Sequence, residues 1–181
     1  MNQSGQKIAL FVADFYDDME FWYPFYRMKE AGHEVTVIGA KTDVYTSKHG
    51  IPVRSDLAIA NARIEDYDAL IIPGGYAPDH MRRSPAMVKF VRDMHESGRI
   101  VAAICHAGWM LASAGIVLGK RVTSFSSIRD DMEHAGAKWV DEEVVQDGSI
   151  ITSRHQSDLP AFCRTILSAL AVAKPQLAAT L

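Results

Sequence analysis

The residues that could do chemistry are Cys105 and His106, side by side in "VAAICHAGWML" (Val101–Leu111). An apolar run ends at the cysteine, and a segment with helical spacing follows. Where a buried strand gives way to a helix, unpaired N–H groups and the positive end of the helix dipole favour an anion. A thiolate is such an anion, so the Cys105 pKa is expected to fall there. A strand–turn–helix elbow also exposes the nucleophile of many α/β hydrolases. Gly74 and Gly75, in "DALIIPGG", carry no side chains to block their N–H groups and could form part of an oxyanion hole. The acidic loop "DFYDD" follows the first apolar run on the same expected edge. On position alone, Cys105 reads equally well as a small buried hydrophobe. Cys163 reads as packing, because it shares an apolar stripe with Leu159, Phe162, Ile166 and Leu170.

The elements that must position these residues alternate. "KIALFV" is a short apolar run and reads as the first strand. "DMEFWYPFYRMKEAG" has helical spacing, with Gly32 as its cap and a bend or late start expected at Pro24. "EVTVIGA" is a strand, "VYTSKHGIPVRSD" a small hairpin and "DALIIPGG" a third buried strand. Ser84 and Pro85 open a helix closed by Gly98. "RIVAAIC" is a strand and "HAGWMLASAG" a helix. "RVTS" reads as a short strand, "SIRDDMEHAG" as a charged helix, and "EVVQDGSIITS" as a hairpin turning at Asp147-Gly148. "SDLPAFCRTILSALAVAK" is the last helix. The pattern predicts a single-domain (residues 1–181) three-layer α/β/α sandwich with a mainly parallel sheet. In such sheets ligands bind beyond the carboxyl ends of the strands. That edge holds the loop after Val12, the Gly74-Gly75 turn and Cys105.

The chain has 181 residues, 48% hydrophobic and 23% charged, with a net charge of -3. No basic stripe suggests nucleic acid, and no segment approaches the roughly 20 apolar residues of a membrane helix. The amino-terminal apolar run is too short for a signal peptide, so a cytoplasmic location is expected. The histidines lack metal-ligand spacing and no second cysteine lies near Cys105, so no metal is expected. No glycine-rich nucleotide motif appears, and no cofactor is expected.

"LIIPGG" followed by "AICHAG", with "GHEV" and "SKHG" upstream and "DDM" and "AGAKWVD" downstream, resembles the PfpI family of intracellular proteases. That family belongs to the superfamily of the parkinsonism-associated protein deglycase and has a flavodoxin-like, class I glutamine-amidotransferase-like fold. The resemblance runs from about Lys7 to Leu170. It implies that Cys105 is the nucleophile and His106 its neighbour in catalysis. It also implies an acid in the loop after the first strand, hydrogen-bonded to the cysteine. The position matched to it is Asp17, where the family usually has glutamate. Beside a thiolate this carboxyl would hold a proton and donate it; the other reading of Asp17 is a solvated turn residue. In protease-like members a neighbouring subunit's carboxylate completes a Cys-His-acid triad. Asp79 matches that position, again with aspartate for glutamate, and reads equally as a helix-start residue.

Other departures are Phe125 for a tyrosine and Gln156 for the proline of a Ser-Arg-x-Pro-x-Asp-Leu run. Arg154 in that run either faces the pocket or makes a surface salt bridge. The His-x-Glu pair of glutamine amidotransferases is missing, since His155-Gln156-Ser157 stands there.

The leading functional expectation is a stress-response enzyme acting on reactive carbonyls, as a glyoxalase or deglycase. Its partners would be small carbonyl compounds or glycated amines and peptides. Cys105 would attack, His106 and Asp17 would move protons, and the Gly75 and His106 amides would hold the oxyanion. The rivals are a peptidase with an intersubunit triad and a redox sensor or holdase chaperone. The resemblance implies a homodimer or larger homo-oligomer.

Overall fold

Apolar runs too short for helices fall into one sheet. In the computed structural model, which describes residues 5–178, the chain opens with β1 (Lys7–Phe11), α1 (Asp18–Glu30) and β2 (Glu34–Gly39). A small antiparallel hairpin, β3 (Val44–Thr46) and β4 (Pro52–Arg54), precedes the two-residue β5 (Leu57–Ala58). Then come β6 (Ala69–Ile72), the short α2 (Ala77–Met81), α3 (Pro85–Glu96), β7 (Ile100–Ile104) and α4 (Gly108–Ala114). β8 (Arg121–Val122), α5 (Arg129–His134) and β9 (Lys138–Trp139) form a satellite unit whose two strands pair in parallel. β10 (Val144–Asp147), β11 (Ile150–Ser153) and α6 (Leu159–Ala178) complete the chain.

The seven-stranded sheet has the order β10-β11-β7-β6-β1-β2-β5. Every pair in it is parallel except β10 with β11, which the Asp147-Gly148 turn joins. Gly148 there has φ 61°, a conformation that favours glycine. The central register sets Ala9 of β1 against Thr36 of β2 and Leu70 of β6. β6 and β7 are buried along their whole length, as expected for parallel strands covered on both faces.

Handedness decides which face each helix covers. The chain steps one way along the sheet from β1 to β2, and the opposite way from β6 to β7. Right-handed crossovers therefore put α1 and α3 on opposite faces. α6 packs beside α1, and α4 beside α3. One hydrophobic cluster runs through both layers, from Ile8 and Phe21 to Phe90, Leu111 and Phe162. The structure is the expected mainly parallel α/β sandwich. The step between β1 and β6 is the point where the winding direction reverses, and crevices form at such points.

At α1 the late start expected as one alternative at Pro24 does not occur. The helix starts at Asp18 and passes through the buried Pro24. Asp17 caps it, its Oδ1 accepting the N–H groups of Met19 (3.0 Å) and Glu20 (3.1 Å). This cap fixes the start six residues before the proline. Among the described residues, no helix is long and apolar enough to cross a membrane.

Candidate active site

Loops after β1, β6, β7 and β11 meet at the carboxyl edge of the sheet. The loops after β1 and β6 are stitched together by backbone bonds from Tyr76 N–H to Phe15 O (2.9 Å) and Asp17 N–H to Gly74 O (3.3 Å). The β3–β4 hairpin joins them through Lys48 N–H to Tyr16 O (3.0 Å). Gly75 has φ 72°, and a Cβ there would lie 2.4 Å from Phe15 O, so only glycine allows this approach.

Cys105 follows β7 directly, with φ 62°. A residue with a Cβ enters this left-handed region at a cost of about 1–2 kcal/mol. Such strain persists only where the surroundings impose it, and it gathers at functional sites. Cys105–Ala107 form a single 3-10 turn, and α4 starts only at Gly108. The thiol thus sits one turn ahead of the α-helix, not on its first residue. The N–H groups of Gly75 and His106 are aimed at the sulfur and favour the thiolate. Burial and the adjacent Glu20 carboxylate oppose them, and the thiol is pushed up, not down.

The carboxyl beside Cys105 belongs to Glu20. It is fully buried, its Oε2 accepting Gly74 N–H at 2.8 Å and its Oε1 the Gln156 amide at 3.0 Å. Burial, then the Asp17 charge, pushes it up to about 8, and it shares a hydrogen bond with Cys105. Two anions in this contact repel each other, so once the first proton leaves, at about 8, the pair holds one negative charge and keeps its other proton. A Cys105 thiolate therefore exists with Glu20 protonated, and the carboxylic O–H then donates to the sulfur. A Cβ on Gly74 would come within 2.5 Å of Glu20 Oε2 and 2.7 Å of the Cys105 Cβ. Glycine at 74 is what allows the two side chains to meet.

Asp17, expected to reach the cysteine, is spent elsewhere. Its Oδ1 caps α1, and its Oδ2 meets Lys48 Nζ at 2.5 Å and Gln156 Nε2 at 2.8 Å. Burial raises its pKa, but the Lys48 ammonium, the cap N–H groups and Gln156 outweigh that and hold it below the usual carboxylate value. Asp17 is thus a standing anion and Glu20 the proton carrier. Asp-x-x-Glu before an apolar run is the signal that could have located Glu20. It marks the N-cap and third helical position, here Asp17 and Glu20.

His106 lies next to the sulfur, with Nδ1 3.2 Å from Cys105 Sγ and Nε2 3.1 Å from Ser127 Oγ. Its ring stacks on Phe125 (5.2 Å) and meets Trp109 edge-on (5.1 Å). Burial and then the Lys48 charge lower its pKa, which keeps it neutral. Within the chain, Asp79 does not approach it: Asp79 lies in α2 and pairs with Arg83 one turn on. Gly74 offers no free oxyanion donor, because Glu20 takes its N–H. Arg154 turns from the pocket to Asp158 (Nε–Oδ2 2.8 Å) and Asp141 (2.7 Å). Its neighbour Gln156 enters the pocket instead.

The pocket has a volume of ≈ 630 Å³ and is lined by Cys105, His106 and Gly75 together with Asp17, Lys48 and Gln156. Phe15, Tyr76 and Phe125 complete its lining, and the first two are each 52% exposed. Among the described residues, no three His, Cys, Asp or Glu side chains gather to hold a metal ion. The site is a nucleophile with a proton-bearing acid and two aimed N–H groups, suited to adding a thiolate to a carbonyl.

Known proteins share this framework. The DJ-1/PfpI family model matches residues 6–169. Deglycase PfpI of Pyrococcus furiosus is 42% identical over 164 residues, covering 91% of this chain and 99% of that protein. Protein/nucleic acid deglycase 2 of Escherichia coli is 39% identical, covering 92% and 98%. Among solved structures, a two-domain protein from Anabaena variabilis with DJ-1/ThiJ/PfpI-like and ferritin-like domains matches with a TM-score of 0.90 and 40% identity. That match covers 92% of this chain and 48% of the Anabaena chain. Drosophila melanogaster DJ-1beta matches with a TM-score of 0.87 and 27% identity, covering 96% and 98%.

Proposed function

Since the chain belongs to the DJ-1/PfpI family, we propose that it clears reactive carbonyls, acting as a cysteine-dependent deglycase or glyoxalase. Its substrates are small aldehydes such as methylglyoxal and their early adducts on amines. The observation that carries this reading is the contact of the buried Glu20 carboxyl with Cys105, which lines the pocket.

The chemistry follows from where the single proton sits. The Cys105 thiolate adds to the carbonyl carbon, and the carbonyl π pair moves onto oxygen. The Gly75 and His106 N–H groups lie at the sulfur and meet that oxyanion as it forms. Glu20 gives up its proton to the oxygen, leaving a hemithioacetal on Cys105 and a carboxylate at Glu20. Asp17, expected from the resemblance to move protons, serves instead as fixed charge beside Lys48. Neutral His106 borders the sulfur and orients against Ser127.

The reading makes the protein an intracellular one, where free thiols stay reduced, and a homo-oligomer, which light scattering tests. The deciding experiment is turnover of methylglyoxal, glyoxal and a fluorogenic peptide by wild type and Cys105→Ser. Loss of methylglyoxal turnover in the variant, with little peptide cleavage in either, is expected. Full methylglyoxal turnover by Cys105→Ser overturns the reading.

A further inference from the structure

We propose that Gln156 is a positioning residue that sets the pH at which Cys105 becomes a thiolate, by holding the Glu20 carboxyl through its side-chain amide. The residue follows β11, in a turn that Arg154 and Asp158 fasten through side-chain bonds at 2.8 and 3.1 Å. Its Nε2 donates to Asp17 Oδ2 at 2.8 Å and to Glu20 Oε1 at 3.0 Å. Both acceptors are carboxyl oxygens, so the amide nitrogen must face them. Gln156 is thus the neutral link between the acid that stays ionised and the acid that carries the proton. The PfpI pattern has proline here, which offers no side-chain donor.

The direction of the effect follows from the groups around Glu20. Asp17 faces it from the helix cap, Lys48 from the hairpin turn and Cys105 from the end of β7, with the Gly74 N–H on Oε2. The Asp17–Lys48 pair is close to neutral as a unit. The amide on Oε1 stabilises the ionised form of the Glu20–Cys105 pair, because a donor to a carboxylate favours the anion. Without the amide, the pair gives up its proton at higher pH.

The inference rests on Cys105 as the reacting thiol, but its test needs no carbonyl substrate. The rate of iodoacetamide alkylation is followed against pH by mass spectrometry of the Cys105 peptide. In Gln156→Leu the midpoint is expected to rise by about one pH unit, the scale of one charge-assisted hydrogen bond. In the isosteric Gln156→Glu it should rise at least as far, since a like charge replaces a donor. In a Glu20→Gln background, Gln156→Leu should leave the midpoint in place. Coincident profiles for wild type and Gln156→Glu overturn the proposal. So does a Gln156→Leu shift that persists without Glu20. If Gln156→Leu does not fold by circular dichroism, Gln156→Glu carries the test alone. Failure of the carbonyl reading would show instead in the methylglyoxal panel, with the alkylation profiles intact.

Discussion

Cys105 and Cys163 are the same residue, both nearly inaccessible, at 6% and 1% exposure. Burial pushes both thiols up, Cys163 to about 12. What separates them is company. Cys163 sits in the second turn of α6 among Leu159, Phe162 and Ile166, where burial dominates and the Arg27 charge works against it. Cys105 sits in a strained turn with two N–H groups aimed at it and a carboxyl that can hand over a proton. Low exposure therefore does not mark a cysteine as inert. The groups that can stabilise the anion decide.

Breaking the reactive side of this comparison should have the largest effect. Cys105→Ala removes the bond-forming atom, and methylglyoxal turnover should fall by about 10³-fold or more. Glu20→Gln keeps the shape but has no acidic proton, so kcat/KM should fall roughly 10²-fold. Gly74→Ala inserts a methyl group between Glu20 and Cys105 and should cost about 10- to 100-fold in kcat with fold retained.

The raised Glu20 pKa also makes stability depend on pH. The folded state binds this proton more tightly than the unfolded chain does. The resulting stabilisation is present below 4.5 and is lost as pH rises through about 8. Across that window the wild-type Tm should decline more than that of Glu20→Gln, and parallel Tm curves would refute the assignment. The smallest effect belongs to the packing cysteine. Cys163→Ala should leave turnover within about twofold and cost about 1–2 kcal/mol in denaturant unfolding.

Much of this was legible in the sequence, because it rests on local patterns. The βα alternation, the elbow at Cys105, the Asp147-Gly148 hairpin and the Ser84 cap all appear as written. The acid at the site did not, because three acids stand within four residues at Asp17, Asp18 and Glu20. Which one faces inward depends on where α1 begins, and counting along a loop does not give a helix its phase. Pro24 pointed to a bend or a late start, whereas the Asp17 cap fixes an early start and turns Glu20 to the core. Arg154 and Gln156 were two residues apart with opposite fates, decided by the distant Asp141 and Asp17. Contacts across 139 positions leave no mark in spacing.

The most direct measurement is competitive iodoacetamide labelling of the native protein at neutral pH, read peptide by peptide. The account predicts that Cys105 is labelled while Cys163 is protected until the protein unfolds. Equal labelling of the two cysteines in the folded protein, or protection of both, would contradict it.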